Sequence, residues 1–319
     1  MNTLHAHLQR YIQSGSLFAV LAALGFSLKA IFVKLSYAAG PVDAITVLAL
    51  RMALSLPLFI WLVWFSGRQA STSLTLGNGV RVLLLGLLGY YLSSLFDFYG
   101  LQYISAGLER LILFIYPTLV LIFQAVAQRE RPTPRTLLAM GICYFGLGVA
   151  FVHDVSVSGV GNQVIVGSLW VFASAVTYAL YYSGTGMMLK HMSSMRLAGL
   201  AGSASSFMVL AHYLLVADIA QLWQLPASVW WYAGLMAVFS TVLPIYWAAL
   251  AIKRMGATQT AAVGNLGPVL TVLASWAVLS EEISLYQIAG LALVLFGVSR
   301  LKPGKPKASV QAPTKDVPA

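Results

Sequence analysis

The chain has 319 residues, of which 59% are hydrophobic and only 9% charged, with a net charge of +10. A soluble domain carries about 25% charged residues, so this composition excludes a water-soluble globular protein and points to a polytopic membrane protein. The single cysteine, Cys143, excludes an intramolecular disulfide and a cysteine-rich metal site.

Taken in order, the sequence predicts ten apolar segments, each near the ~20 residues that a bilayer core requires. They run over 15–37, 43–66, 79–101, 104–128, 134–152, 164–189, 193–217, 227–251, 256–280 and 284–301. Residues 1–14 read as a polar cytoplasmic N-terminus, 153–163 as an external linker and 302–319 as a disordered basic cytoplasmic tail. The first apolar run lacks a small-residue cleavage site and is expected to be a retained span.

The fourth and ninth segments share a pattern. Ala106–Glu130 carries Pro117 in its middle and Glu130 at its end. Ala257–Glu281 repeats this with Pro268 and Glu281, at a constant shift of 151. Each proline removes a backbone donor and is expected to kink its helix. The openings of the first and sixth segments also match, Gly15-Ser16-Leu17-Phe18 against Gly167-Ser168-Leu169-Trp170. The expected fold is all-α: two five-helix repeats, 15–152 and 164–301, around a central cavity. Five is odd, so the second copy enters the membrane from the opposite side and the repeats are inverted.

Charge placement fixes the orientation. Fifteen of the nineteen basic residues fall in the tails and in alternate loops, and the other connections hold none. This positive-inside bias predicts both termini in the cytoplasm. It also explains the basic pI without a nucleic-acid partner, since the basic tail faces a lipid bilayer.

Ten spans in two halves, the G-S-L-aromatic opening and the repeated P…E pattern resemble the drug/metabolite transporter superfamily in its EamA-like branch. Within it the chain is similar to aromatic amino acid exporters of the YddG type. The resemblance covers about residues 15–301. It implies a basket of helices one, three, four, six, eight and nine around the cavity, with five and ten peripheral.

Ionisable groups inside spans mark function by default. They are Lys29, Lys34, Arg51, Asp97, Glu109 and Arg110, all in the first repeat. At ~1.5 Å per residue all lie in the outer half of the membrane. Lys34 reads as a snorkelling residue. Asp97 and Arg110 read as an ion pair on adjacent helices or as a gate. Glu109 is a partner for Arg51 or Arg110, or a proton-carrying carboxylate; Arg51 pairs rather than binds ligand. Lys29 lies deepest without an obvious acid neighbour and is the expected substrate anchor, with pairing to Asp97 or Glu109 as the alternative. Tyr99, Tyr181, Tyr246 and Asn265 are further candidates for substrate binding, because a buried tyrosine hydroxyl needs a partner; Asn265 could equally satisfy a carbonyl freed by Pro268. Gly86, Gly89, Gly264 and Gly267 suit close helix contacts.

No H-E-x-x-H, G-x-S-x-G or P-loop motif is present, and no histidine pair has metal-site spacing. No catalytic residue, metal or cofactor is therefore expected. The chain reads as a secondary transporter that exports small metabolites, foremost aromatic or bulky apolar amino acids, by alternating access, from the inner (plasma) membrane and able to act as a monomer. A broad-specificity drug exporter, a lipid-modifying membrane enzyme and a channel are the rival readings.

Overall fold

The computed structural model describes residues 15–67, 75–129, 133–157, 161–217, 219–264 and 266–300, and all regular elements among them are helical. α1 is Ser16–Ala39 and α2 Ala44–Gly67. α3 joins Leu76–Gly86, a π-helical turn at Leu87–Leu92, and Ser93–Leu101. α4 is broken into Ala106–Leu113 and Tyr116–Gln128. α5 is Pro134–Val157, α6 Gly161–Met188 and α7 Ser194–Val216. Past a 3-10 turn at Ile219–Gln224, α8 joins Ala227–Ala237, a second π-helical turn at Val238–Val242, and Leu243–Met255. α9 comprises Ala257–Val263 and Leu266–Leu279, and α10 is Leu285–Arg300. Eight of these, α1–α4 and α6–α9, are long and apolar enough to cross a membrane. α5 and α10 carry shorter apolar stretches, Leu137–Val152 and Leu285–Gly297. The expected linker is largely helical: α5 runs on to Val157 and α6 begins at Gly161.

Short polar side chains start the helices where the sequence turns. Asp43, Thr75, Ser105, Ser193 and Ser284 each accept a hydrogen bond from the backbone N–H three residues on. Those donors would otherwise lack a partner at a helix N-terminus, and in an apolar solvent that loss is severe.

The internal repeat reaches irregular backbone. π-helical turns are rare, yet the two here begin at Leu87 and Val238, 151 residues apart. The breaks in α4, after Leu113, and in α9, after Val263, fall within one residue of the same relation. So do Arg129 and Ser280, the non-glycine residues at positive φ (54° each) among the described ones. The prolines sit just beyond the breaks, Pro117 and Pro268 each in the first turn of a second half-helix. The expected kink in a continuous helix is therefore a break, because a proline opening a helix removes a donor that has no partner in that helix.

Helix pairing follows the same exchange. α1 packs on α8 and α9, as α6 packs on α3 and α4; α2 pairs with α7, and α5 with α10. A side chain at Gly15 would meet Arg254, and one at its counterpart Gly167 would meet Tyr103. Between α5 and α10, Gly146 lies against Gly290 O, and Gly297 against Ala139 O. Numbers rise along α5 as they fall along α10, so these two counterparts run antiparallel. Cys143 Sγ donates to Val294 O at 3.5 Å, and Val294 is the residue 151 places after Cys143.

Candidate functional site

The helices enclose a central cavity with two chemically distinct walls. Small residues of α1, Ala19, Ala22 and Ala23, form part of its floor. Gly25 nearby has no room for a side chain because the ring of Pro244 on α8 fills that space. Such contact draws α1 onto α8 and lets the longer side chains of α1 reach inward.

One wall is cationic. Lys29, Arg51 and Arg110 all line the cavity. Lys29 Nζ lies 2.7 Å from Asp97 Oδ2. Arg110 donates to the carbonyl of Phe26 at 2.8 Å, and its Nε stands 3.6 Å from Glu109 Oε2. Arg51 donates to Ser94 Oγ at 2.8 Å and lies over the ring of Phe98. Its Nε has no hydrogen-bond partner, and no described carboxylate lies within ion-pair distance of it. Arg51 is only 3% exposed. A buried guanidinium with a free donor beside a cavity is the group most ready to receive an anion.

The rest of the lining is aromatic and hydroxylic. Tyr178 and Tyr182 of α6, Tyr90 of α3 and Tyr116 of α4 line it. Their rings interlock: Tyr178 lies 5.0 Å from both Tyr116 and Tyr182 between centroids, and Phe26 adds an edge contact. Tyr181 hydrogen-bonds Tyr90 through the two hydroxyls. Ser240 and Thr241, in the π-helical turn of α8, also line the cavity, and neither hydroxyl has a partner. The repeat orders these positions: Gly89 and Tyr90 correspond to Ser240 and Thr241, and all four are lining residues.

The void measures about 70 Å³, against the ~300–1,000 Å³ of pockets that enclose drug-sized ligands. A solute of amino-acid size enters only when the walls separate.

The structure places the expected site residues unevenly. Lys29 lines the cavity, but its ammonium is engaged with Asp97, so the expected Asp97–Arg110 pair gives way to Lys29–Asp97. Glu109 lies beside its chain neighbour Arg110, and Arg51 stands apart from both carboxylates. Tyr181 is buried behind Tyr90 and Tyr178, one layer back from the cavity. Tyr99 turns away and stacks near Trp170, and neither it nor the half-buried Tyr246 lines the cavity. Asn265 lies outside the described residues. Of the glycines, Gly86 lies against Ala201 O, Gly89 against the Tyr181 ring and Gly264 against the Tyr116 hydroxyl, whereas Gly267 has looser neighbours. Sequence reasoning missed Tyr116, Ser93, Ser94, Ser240, Thr241 and Thr260. The available signal was the shift of 151 applied to Gly89 and Tyr90. No group of three or more potential metal ligands occurs among the described residues.

Comparison with known proteins settles the family. The profile of the EamA-like transporter family matches residues 13–152 and again residues 165–301. The chain belongs to the EamA-like transporter family. Curated relatives agree. The uncharacterized transporter YcbK of Bacillus subtilis (strain 168) is 28% identical over 93% of this chain and 96% of its own length. The uncharacterized transporter YyaM of the same organism is 27% identical over 86% and 90%. An uncharacterized transporter of Archaeoglobus fulgidus is 25% identical over 84% and 91%. A solved crystal structure at 18% identity matches with a TM-score of 0.66, over 90% of this chain and 96% of its own, a likeness of fold. This EamA-family chain is thus a multi-pass membrane protein and a transporter.

Proposed function

We propose that this chain is a secondary transporter that exports amino acids with aromatic or bulky apolar side chains, by alternating access. The observation that carries the substrate reading is the divided cavity. Arg51, with a free donor, suits a carboxylate, and the Tyr116–Tyr178–Tyr182 cluster in the same cavity suits an aromatic ring. The unpartnered hydroxyls of Ser240 and Thr241 suit the remaining polar group. Three cations in the lining weigh against a cationic drug as the main solute.

Alternating access follows from an inverted repeat, and the antiparallel packing of the counterpart helices α5 and α10 supports that inversion. With the two shorter apolar helices also crossing, the chain has ten spans and both termini on one side. The basic-residue bias supports a cytoplasmic location for that side, in the plasma membrane expected of such an exporter. Export, rather than uptake, rests on the resemblance to exporters of the YddG type.

Counterflow in proteoliposomes tests this reading. Lumenal unlabelled L-phenylalanine should drive saturable accumulation of labelled L-phenylalanine, and phenylalaninamide should compete poorly. Preferred exchange of organic cations would instead favour a broad-specificity drug exporter.

A further inference from the structure

The charges around the cavity do not sum to zero. Lys29, Arg51 and Arg110 line it, and among the described residues no Asp or Glu does. Asp97 offsets Lys29 at 2.7 Å, and Glu109 stands at ion-pair distance, 3.6 Å, from Arg110. Arg51 has no such partner. It donates to Ser94 Oγ, lies over the Phe98 ring and keeps its Nε unpaired. Even with both ion pairs counted as neutral, one positive charge remains, on a guanidinium that stays protonated at any working pH. An unbalanced charge inside a span is costly. A solute that carries one negative charge removes the imbalance on entry, and a solute with no net charge leaves it in place.

We propose that the cavity also takes aromatic carboxylates with a hydroxyl or keto oxygen in the place of the ammonium, and holds them more tightly than the corresponding amino acid. The proposal rests on the reading of the cavity as a site for a carboxylate and a ring. A zwitterionic amino acid brings no net charge. Its carboxylate suits Arg51, but its ammonium enters a lining with three cations and no described carboxylate, and like charges brought together cost affinity. A 2-hydroxy or 2-oxo acid keeps the carboxylate and the ring, lacks the ammonium and cancels the charge of Arg51.

The same lining offers partners for the substituent oxygen. Ser240 and Thr241 are each 2% exposed, and their hydroxyls have no hydrogen-bond partner. A hydroxyl both donates and accepts, so the two can donate to a keto oxygen or exchange hydrogen bonds with a substrate hydroxyl. They can also accept from an ammonium, and the tyrosine faces attract a cation, so amino acids are not shut out. Neither hydroxyls nor rings supply the negative charge that an ammonium needs beside Lys29, Arg51 and Arg110. The preference is therefore one of charge rather than of hydrogen bonding.

The test uses the full chain in proteoliposomes at neutral pH, one set loaded with unlabelled L-phenyllactate and a parallel set with L-phenylalanine. Counterflow of the labelled compound is read in each, and protein-free liposomes set the passive background of the weak acid. L-Phenyllactate, phenylpyruvate, 3-phenylpropionate and L-phenylalanine then compete for exchange. Phenyllactate and phenylpyruvate should half-inhibit at concentrations at least about tenfold below that of phenylalanine. 3-Phenylpropionate, which lacks the substituent oxygen, should be weaker than phenyllactate. Ser240→Asp adds a carboxylate to the lining and should shift the preference toward phenylalanine by about tenfold or more. Phenylalanine binding as tightly as phenyllactate in the unaltered protein would overturn the proposal, and so would a preference that Ser240→Asp leaves unchanged. If that variant does not fold, the competition series on the unaltered protein decides alone. Exchange of phenylalanine without exchange of phenyllactate overturns the proposal and leaves the cavity reading standing; exchange of neither overturns both.

Discussion

The two repeats use one backbone plan and opposite chemistry. Both have a π-helical turn in the third helix and a break in the fourth. Yet Lys29, Asp97, Glu109 and Arg110 in the first repeat correspond to Tyr181, Ala248, Thr260 and Ala261 in the second. On the proposed reading, duplicated backbone irregularity and unduplicated charge divide the labour: the shared geometry serves motion, and the unshared residues serve recognition. A buried charge in a membrane is costly; within the first repeat Lys29 is offset by Asp97 and Arg110 by Glu109, while the second repeat supplies rings and hydroxyls to the cavity.

The comparison breaks most sharply at the Lys29–Asp97 pair. Asp97→Asn leaves a buried ammonium uncompensated and should cost about 3–5 kcal/mol, read as a fall in unfolding temperature in detergent. Lys29→Met in the same chain should restore most of it, and a stable Asp97→Asn single variant would show that the pair does not hold the wall together. Arg51→Met comes next. Loss of a charged hydrogen bond worth about 1.5–3 kcal/mol should raise half-saturation for phenylalanine roughly 10- to 100-fold, with little change for phenylalaninamide. Equal losses for both would remove the carboxylate role. At the periphery the halves should respond alike. Gly146→Leu and Gly297→Leu each force a side chain into a neighbouring backbone, so both should destabilise by about 1–3 kcal/mol, and a wide disparity would argue against equivalence. The mildest stability effect belongs to the prolines. Pro117→Ala and Pro268→Ala should change stability by less than about 1 kcal/mol, since each opens a helix, but should slow counterflow. Undiminished turnover in both would make the breaks dispensable.

Much of the fold was legible because it depends on local pattern and solvent. Apolar run lengths gave the helices. The repeat was visible in Pro117 and Pro268. The cavity was harder to read, because packing register decides which faces meet. A π-helical turn adds a residue and rotates everything beyond it by about 100°, so a count at 3.6 residues per turn misplaces later side chains. Tyr99 lies beyond such a turn and stacks near Trp170. Lys29 met Asp97 rather than standing free because α1 crosses close to α3, which no spacing within either helix reveals. Tyr116 went unnoticed because Pro117 beside it drew a structural explanation for the whole stretch.

The contact of Cys143 with Val294 has a consequence for the transport cycle. If the two end states interconvert by exchange of the repeats' conformations, the separation between any residue and its own counterpart is identical in both states. A covalent staple between such a pair imposes no preference for either end of the cycle. A disulfide between Cys143 and a cysteine at position 294 therefore fastens the halves at an invariant point, as a hinge pin fastens two leaves without stopping the door.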